Sequence, residues 1–372
     1  MRENVHVVRA IEEARKAGKQ AALATVVRVF GSAYRREGAK MVTDEDGGVT
    51  GMISGGCLEA DVAEVAKNVI QQGRPVLKRY DLDEDLVWGL GLGCPGTVEV
   101  FIESVPAGEA AAHACPLTAW LECLMAEGAG VLATVLEDSS RRLFVAEEGS
   151  PIGGLGDETL QQQVVELARQ KLSEQSPRSQ TRELLLPGGK KEVVFLDVHV
   201  PAMELMIFGA GHDAIPLAKA SLELGMKTTV VDPRPGYNTA DRFPGAERIL
   251  ANAETYGEQV SIGRRTYVIV MNHHLERDQE ALRFALQSKA PYVGVLGPRS
   301  RSNRMLEALE RAGAVFRAEE LARMFSPVGL DIGADSPEEI AVSIMAEVLA
   351  FRSGHAAGFL RERPGIHQPA AR

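Results

Sequence analysis

Two of the four cysteines stand in glycine-rich turns. Ser54-Gly55-Gly56-Cys57 precedes an amphipathic stretch running from about Leu58 to Gln72, and Cys94 lies between Gly93 and Pro95, just ahead of the apolar run 97–104. A thiol at the start of a helix feels the positive end of the dipole, which favours thiolate, the form that acts as nucleophile or soft ligand. The glycines beside it let backbone approach a ligand closely. The opposing reading makes both thiols small apolar fillers of tight turns. Cys115 and Cys123, in apolar surroundings, take that second reading. Arg35, Arg36 and Lys40 lie in the loop 31–40, where they either neutralise a phosphate or stand solvated. Trp88, beside the Cys94 turn, either stacks on a planar ring or anchors its loop.

A second pattern lies further along. Gly209, Gly211 and Ala214 spell G-x-G-x-x-A after the apolar run LMIF and at the opening of a helical stretch. The first glycine permits the turn, the second lets backbone approach a pyrophosphate, and the alanine allows close helix–strand packing. His212 lies inside this turn. Asp232 ends the next apolar run, about 20 residues on, where a carboxylate binds a ribose 2′-hydroxyl. Arg234 could instead accept a 2′-phosphate, so NAD and NADP both stay open. His273 and His274 follow a third apolar run, with Asp278 beyond them; neighbouring side chains diverge, so no metal centre is expected.

These groups need elements to hold them. Glycine is abundant, at 37 residues, aromatics are scarce at 5%, and β-branched runs alternate with amphipathic stretches, which together favour an α/β architecture. Apolar runs at 203–208, 227–231, 267–272 and 292–297, separated by helical stretches including 281–290, predict a parallel sheet covered on both faces. The helix 336–354 opens with Ser336 as N-cap and Pro337 at its first position, and either packs on that sheet or forms a dimer seam.

The front half echoes itself. GVLATVLE (130–137) resembles AALATVVR (21–28), and LFVAEEGSPIGG (143–154) resembles MVTDEDGGVTG (41–51). EVVFLDVHV (192–200) resembles TVEVFIESV (97–105), and only the first copy carries cysteines in its turns. The expected organisation is an N-terminal mixed α+β domain, 1–200, with weak repeats 1–105 and 117–200. A Rossmann-like domain, 201–354, and a mobile tail, 355–372, follow it.

Lysine plus arginine is 41 against 51 acidic residues, a net charge of −10, which argues against a nucleic-acid or anionic-membrane binder. Residues 4–17 read as a charged amphipathic helix with no apolar signal core, and four cysteines do not make a disulfide scaffold. A cytoplasmic location is expected.

In order along the chain stand GSAYRREGAKM, GMISGGCLEADV, WGLGLGCPGTVEV, the FGAGH turn, VVDPRPGYNTADRFP, YVGVLGPRSR and PVGLDIGADSPEEIAVSIMAEVLA. Through these blocks the chain resembles the xanthine dehydrogenase accessory factor family, XdhC/CoxI. It departs from the family's usual prolines at Tyr34 and Glu37, and from its second glycine pair at Cys94-Pro95-Gly96. The resemblance implies a chaperone that binds the molybdenum cofactor (molybdopterin) as cargo. It also implies replacement of a terminal oxo by a sulfido ligand with a cysteine desulfurase, and delivery to a xanthine dehydrogenase-type molybdenum hydroxylase. It implies a homodimer. Ser54, Gly55, Gly56, Cys57 and Cys94, with Arg35 and Arg36, would then contact cofactor or handle sulfur.

Two readings compete with the carrier. One is an NAD(P)-dependent oxidoreductase, with His212 or His273 as acid/base candidate; the other is a regulatory protein that senses a nucleotide. No catalytic residue is assigned from the sequence.

Overall fold

The computed structural model describes residues 2–31, 33–82, 96–105, 115–174 and 176–362. Two compact units divide the chain, Met1–Pro201 and Ala202–Arg372.

In unit 1, strands β1 (Ala21–Gly31), β2 (Lys40–Asp44), β3 (Val49–Gly51), β4 (Val76–Leu82) and β5 (Gly96–Val105) form an antiparallel sheet ordered β3-β2-β1-β5-β4. Strands β6 (Gly130–Val135), β7 (Arg142–Ala146), β8 (Ile152–Gly154), β9 (Gln180–Leu185) and β10 (Lys191–His199) form a second, ordered β8-β7-β6-β10-β9. The two orders are the same in chain sequence.

Alternation along each central strand sorts its side chains between two faces. Ala22, Ala24 and Val26 pack with Val62, Ala66 and Val69 of the helix Glu59–Gln72. Val131, Ala133 and Val135 pack with Leu160, Val164 and Ala168 of the helix Glu158–Ser173. The opposite faces meet: Leu23 and Val105 share a core with Leu132 and Phe144, and Val27 and Phe101 share one with Leu136 and Phe195. Unit 1 is therefore layered helix, sheet, sheet, helix. The helices Arg2–Lys16 and Pro116–Met125 close its side through Val8, Ile11, Trp120 and Leu124. Each buried Leu or Phe contributes about 1.5–3 kcal/mol of apolar transfer.

In unit 2, strands β11 (Glu204–Phe208), β12 (Lys227–Val231), β13 (Glu247–Ile249), β14 (Thr266–Val270), β15 (Tyr292–Val295) and β16 (Met324–Phe325) form a parallel sheet. Its order, β13-β12-β11-β14-β15-β16, is Rossmann-like, and the order reverses between β11 and β14. One face packs with Leu217 of the helix Ala214–Glu223 and Ile344 of the helix Pro337–Ser353. The other packs with Leu282 of the helix Leu275–Leu286 and Met305 of the helix Arg299–Arg311. Ser336 caps its helix in a reciprocal bond with Glu339, and Ile344 and Val348 bury against the sheet.

The helix expected over 281–290 runs instead over Leu275–Leu286; its first turn is mostly charged, and Leu275 there is exposed and so shows no core-facing period. Strands β13 and β16 have no counterpart in the sequence pattern; three and two residues are too short to show a period.

Candidate functional site

The front turn begins at Gly51, whose φ of +94° suits glycine and where an added Cβ would meet the Lys40 carbonyl oxygen. Gly153 repeats this in the second sheet, with φ +97° against the Arg142 carbonyl. Two residues on, the Ile53 N–H donates to Glu59 Oε1 at 3.1 Å, and the Leu155 N–H donates to Gln161 Oε1 at 3.4 Å. The two connections are thus equivalent residue by residue. In the second, the helix has already begun at Glu158, capped by Asp157, which accepts from the Leu160 N–H at 2.8 Å. In the first, the helix begins only at Glu59, and Gly56, Cys57 and Leu58 stand where the other half makes its first turn.

Ser54 holds this unwound turn. Its hydroxyl accepts from the N–H groups of Gly56 (3.2 Å), Cys57 (3.1 Å) and Leu58 (3.1 Å) and donates to the Glu59 carboxylate. Burial pushes the Glu59 carboxyl up, but bonds from the Ser54 hydroxyl and neighbouring backbone outweigh it and hold the group below its usual range. Gly56, at φ +106°, has open space where a side chain would stand. The Cys57 thiol is free and partly exposed. Tyr34 lies over Gly55, with its ring carbon 3.6 Å from the position a Cβ would take, so the arginine-bearing loop reaches the SGGC turn. Arg35 and Arg36 are both partly buried in that loop. Lys40 does not belong to this site: its ammonium is buried 2.8 Å from Asp197. Cys94 and Trp88 lie outside the described residues.

In unit 2, the strand order reverses between β11 and β14, and at such a switch α/β sheets take ligands in a crevice at the carboxyl ends of the strands. Gly209, at φ +120°, passes so close to β14 that an added Cβ would stand 2.5 Å from the Met271 carbonyl oxygen. Gly211 faces Asp213, whose Oδ1 lies 2.6 Å from a would-be Cβ. The same carboxylate pairs with His273 Nε2 at 2.6 Å. Ala214 is fully buried, as close helix–strand packing requires, and His212 is exposed. His274 precedes the helix Leu275–Leu286 without a side-chain cap. Asp278 is buried, accepting from Asn272 N–H at 2.8 Å and Arg301 Nη2 at 2.6 Å.

Asp232 is engaged by donors of its own chain. Its carboxylate is 0% exposed and accepts from the Ala210 N–H (2.8 Å), the Arg234 N–H (2.9 Å), Arg234 Nε (2.9 Å) and Arg234 Nη2 (2.6 Å). Burial pushes this carboxyl up, yet the Arg234 fork and the backbone donors hold it below its usual range. Arg234 in turn lies 4.2 Å over the Tyr237 ring, and Arg242 lies 5.3 Å from the same ring. Arg242 Nη2 donates to the carbonyls of Ala210 (2.9 Å) and Gly211 (3.2 Å). Among the described residues no group of three or more His, Cys, Asp or Glu could hold a metal ion, and no helix is long and apolar enough to cross a membrane.

The family model of the XdhC Rossmann domain matches residues 205–348, and that of the XdhC and CoxI family matches residues 14–81. A Bacillus subtilis protein, named as a probable subunit of xanthine dehydrogenase, is 33% identical over 90% of this chain and 94% of its own length. The chain belongs to the XdhC/CoxI family. The Escherichia coli protein PaoD, named a molybdenum cofactor insertion chaperone, is 27% identical over 93% of this chain and 88% of its own. The crystal structure of a Bacillus halodurans protein described as a xanthine dehydrogenase matches with a TM-score of 0.71 at 29% identity, covering 98% of both chains.

In this XdhC/CoxI chain, residues that the sequence pattern does not single out take part in both places. Glu59 and Tyr34 shape the front turn; Asp213, Tyr237 and Arg242 shape the crevice. Ser54 and Glu59 are five residues apart, which is not the three-residue spacing of a capping box, so their pairing carries no signal in the sequence. Tyr237 and Arg242 carry none beyond the family block GYNTADRF.

Proposed function

We propose that this protein is an accessory chaperone that binds the molybdenum cofactor in the front domain, 1–200, and delivers it to a xanthine dehydrogenase-type molybdenum hydroxylase. The carrying observation is the SGGC turn. It replaces a helical turn that the second sheet's connection keeps, leaves Gly56 exposed and the Cys57 thiol half-buried, and is met at Gly55 by Tyr34 of the loop that carries Arg35 and Arg36. A molybdenum dithiolene cargo is anionic and sulfur-ligated, so soft thiol, open backbone and cationic loop match its chemistry. Cys94 belongs to the same reading through its glycine-rich sequence. Sulfuration of the bound cargo by a cysteine desulfurase, action as a cytoplasmic homodimer, and a nucleotide in the crevice of the rear domain, 201–354, complete it.

The test is co-production with a target hydroxylase in a molybdenum-replete host. Cys57→Ser is expected to lower the molybdenum and pterin that co-purify with the chain, and with them hydroxylase activation. Unchanged retention and activation would remove Cys57 from the cargo site.

A further inference from the structure

We infer that the β12 end of the unit 2 crevice recognises a phosphate monoester and not a ribose diol. The inference rests on the nucleotide reading of that crevice and specifies which nucleotides it takes.

A ribose hydroxyl is recognised by donating to a carboxylate with a free lone pair and room to approach. An ionised carboxylate offers about four acceptor positions. Asp232 has four donors on them, all from its own chain: the Ala210 N–H, the Arg234 N–H, and two from the Arg234 guanidinium. Its side chain has no exposed surface. A diol therefore finds no acceptor at the position where the fold ordinarily supplies one.

What faces outward instead is donor-rich and aromatic. Arg234 is held flat by its fork on Asp232 and by the Tyr237 ring at 4.2 Å, and keeps a third of its side chain exposed. Arg242 is fixed over the glycine turn by the Ala210 and Gly211 carbonyls, on the same ring at 5.3 Å. Asp232 and Arg234 offset each other in charge, and Arg242 adds a cation beside them. Two guanidiniums immobilised before the ligand arrives suit a group that only accepts hydrogen bonds, and a phosphate monoester is that group.

The experiment is titration of the full chain, by calorimetry at low salt, with adenosine 2′,5′-bisphosphate and with adenosine 5′-monophosphate. The bisphosphate is expected to bind at least about tenfold tighter, the effect of one charge-assisted hydrogen bond. The gap is expected to narrow as salt is raised. Asp232→Asn combined with Arg234→Gln removes the buried pair together and is expected to shrink the gap. Tyr237→Leu leaves the ion pair in place and is expected to weaken bisphosphate binding, because the guanidiniums lose the ring they lie on. Equal affinity for the two nucleotides, or a gap that survives the double variant, overturns the inference and leaves the nucleotide reading standing. Binding of neither overturns both.

Discussion

Lys40 meets Asp197 at 2.8 Å across the two sheets of unit 1, and Arg142 meets Glu103 at 2.6 Å in the mirrored place. Lys40 stands opposite Thr25 on β1, as Arg142 stands opposite Thr134 on β6. Glu103 stands opposite Leu23, as Asp197 stands opposite Leu132. Each cation therefore pairs with the acid of the other sheet. Both pairs are nearly sealed from solvent, and burial pushes the Glu103 carboxyl up despite the opposing pull of Arg142. Two reciprocal ion pairs, together with the Thr181 hydroxyl donating to the Val27 carbonyl at 2.6 Å, tie one sheet to the other.

Breaking one of them leaves a buried charge without its partner. Lys40→Met is expected to destabilise unit 1 by roughly 3–5 kcal/mol, and Lys40→Met with Asp197→Leu to return it to within about 1 kcal/mol of the parent or above it. Denaturation followed by tryptophan fluorescence measures this. Trp88 and Trp120 both fall before residue 201, and Lys40 Nζ lies 4.9 Å over the Trp120 ring. A double variant no more stable than the single would sink the account.

Ser54→Ala removes the acceptor for three N–H groups of the unwound turn and is expected to cost about 1–2 kcal/mol. Protection of the Cys57 and Leu58 amides in hydrogen exchange should fall with it.

The turn is also sensitive to acid. The fold holds Glu59 as carboxylate, with its pKa below the usual value, so its contribution is complete above the ordinary glutamate range near about 4.3. That contribution is lost as the pH falls through and below that range. Glu59→Gln is expected to flatten this part of the stability profile, read as denaturation midpoints between acid and neutral pH. A profile unchanged in shape would contradict the assignment.

Gly209→Ala places a side chain at φ +120° and against the Met271 carbonyl. The backbone alone is expected to cost about 1–3 kcal/mol, with the contact adding to it. A thermal scan of the full chain should show a transition lowered while tryptophan fluorescence of unit 1 stays unchanged.

Asp213 sets its carboxylate against Gly211, on the face where a pyrophosphate would approach the helix. Asp213→Asn removes a like charge from that approach and is expected to tighten adenine-nucleotide binding several-fold in calorimetry. Weaker binding by the variant would show that the acid assists the ligand instead of opposing it.

The Rossmann-like order of unit 2 is legible in the sequence because β11, β12, β14 and β15 are unbroken apolar runs and the helices between them keep a helical period. The G-x-G-x-x-A turn is legible for the same local reason: Gly209 and Ala214 answer to the backbone next to them. Lys40 and Asp232 have partners that the sequence does not announce. Lys40 looks like part of a cationic loop, and its partner lies 157 residues away in the chain. Asp232 looks free to take a ribose, although Arg234 only two residues on can reach it; no pattern of residue types says whether such a fork closes.

The order of the family blocks is enough, on the amino-acid sequence alone, for family and fold class, because turns, periods and caps depend on neighbours within a few positions. Which charges are consumed inside and which are left for a ligand is decided only when sheets pack and strands take their register. Lys40 is neutralised by Asp197 and Tyr34 lies over Gly55 because the fold brings distant segments together. Hydrogen-bond and ion-pair partnership is a matter of ångströms in space, and separation along the chain does not measure it.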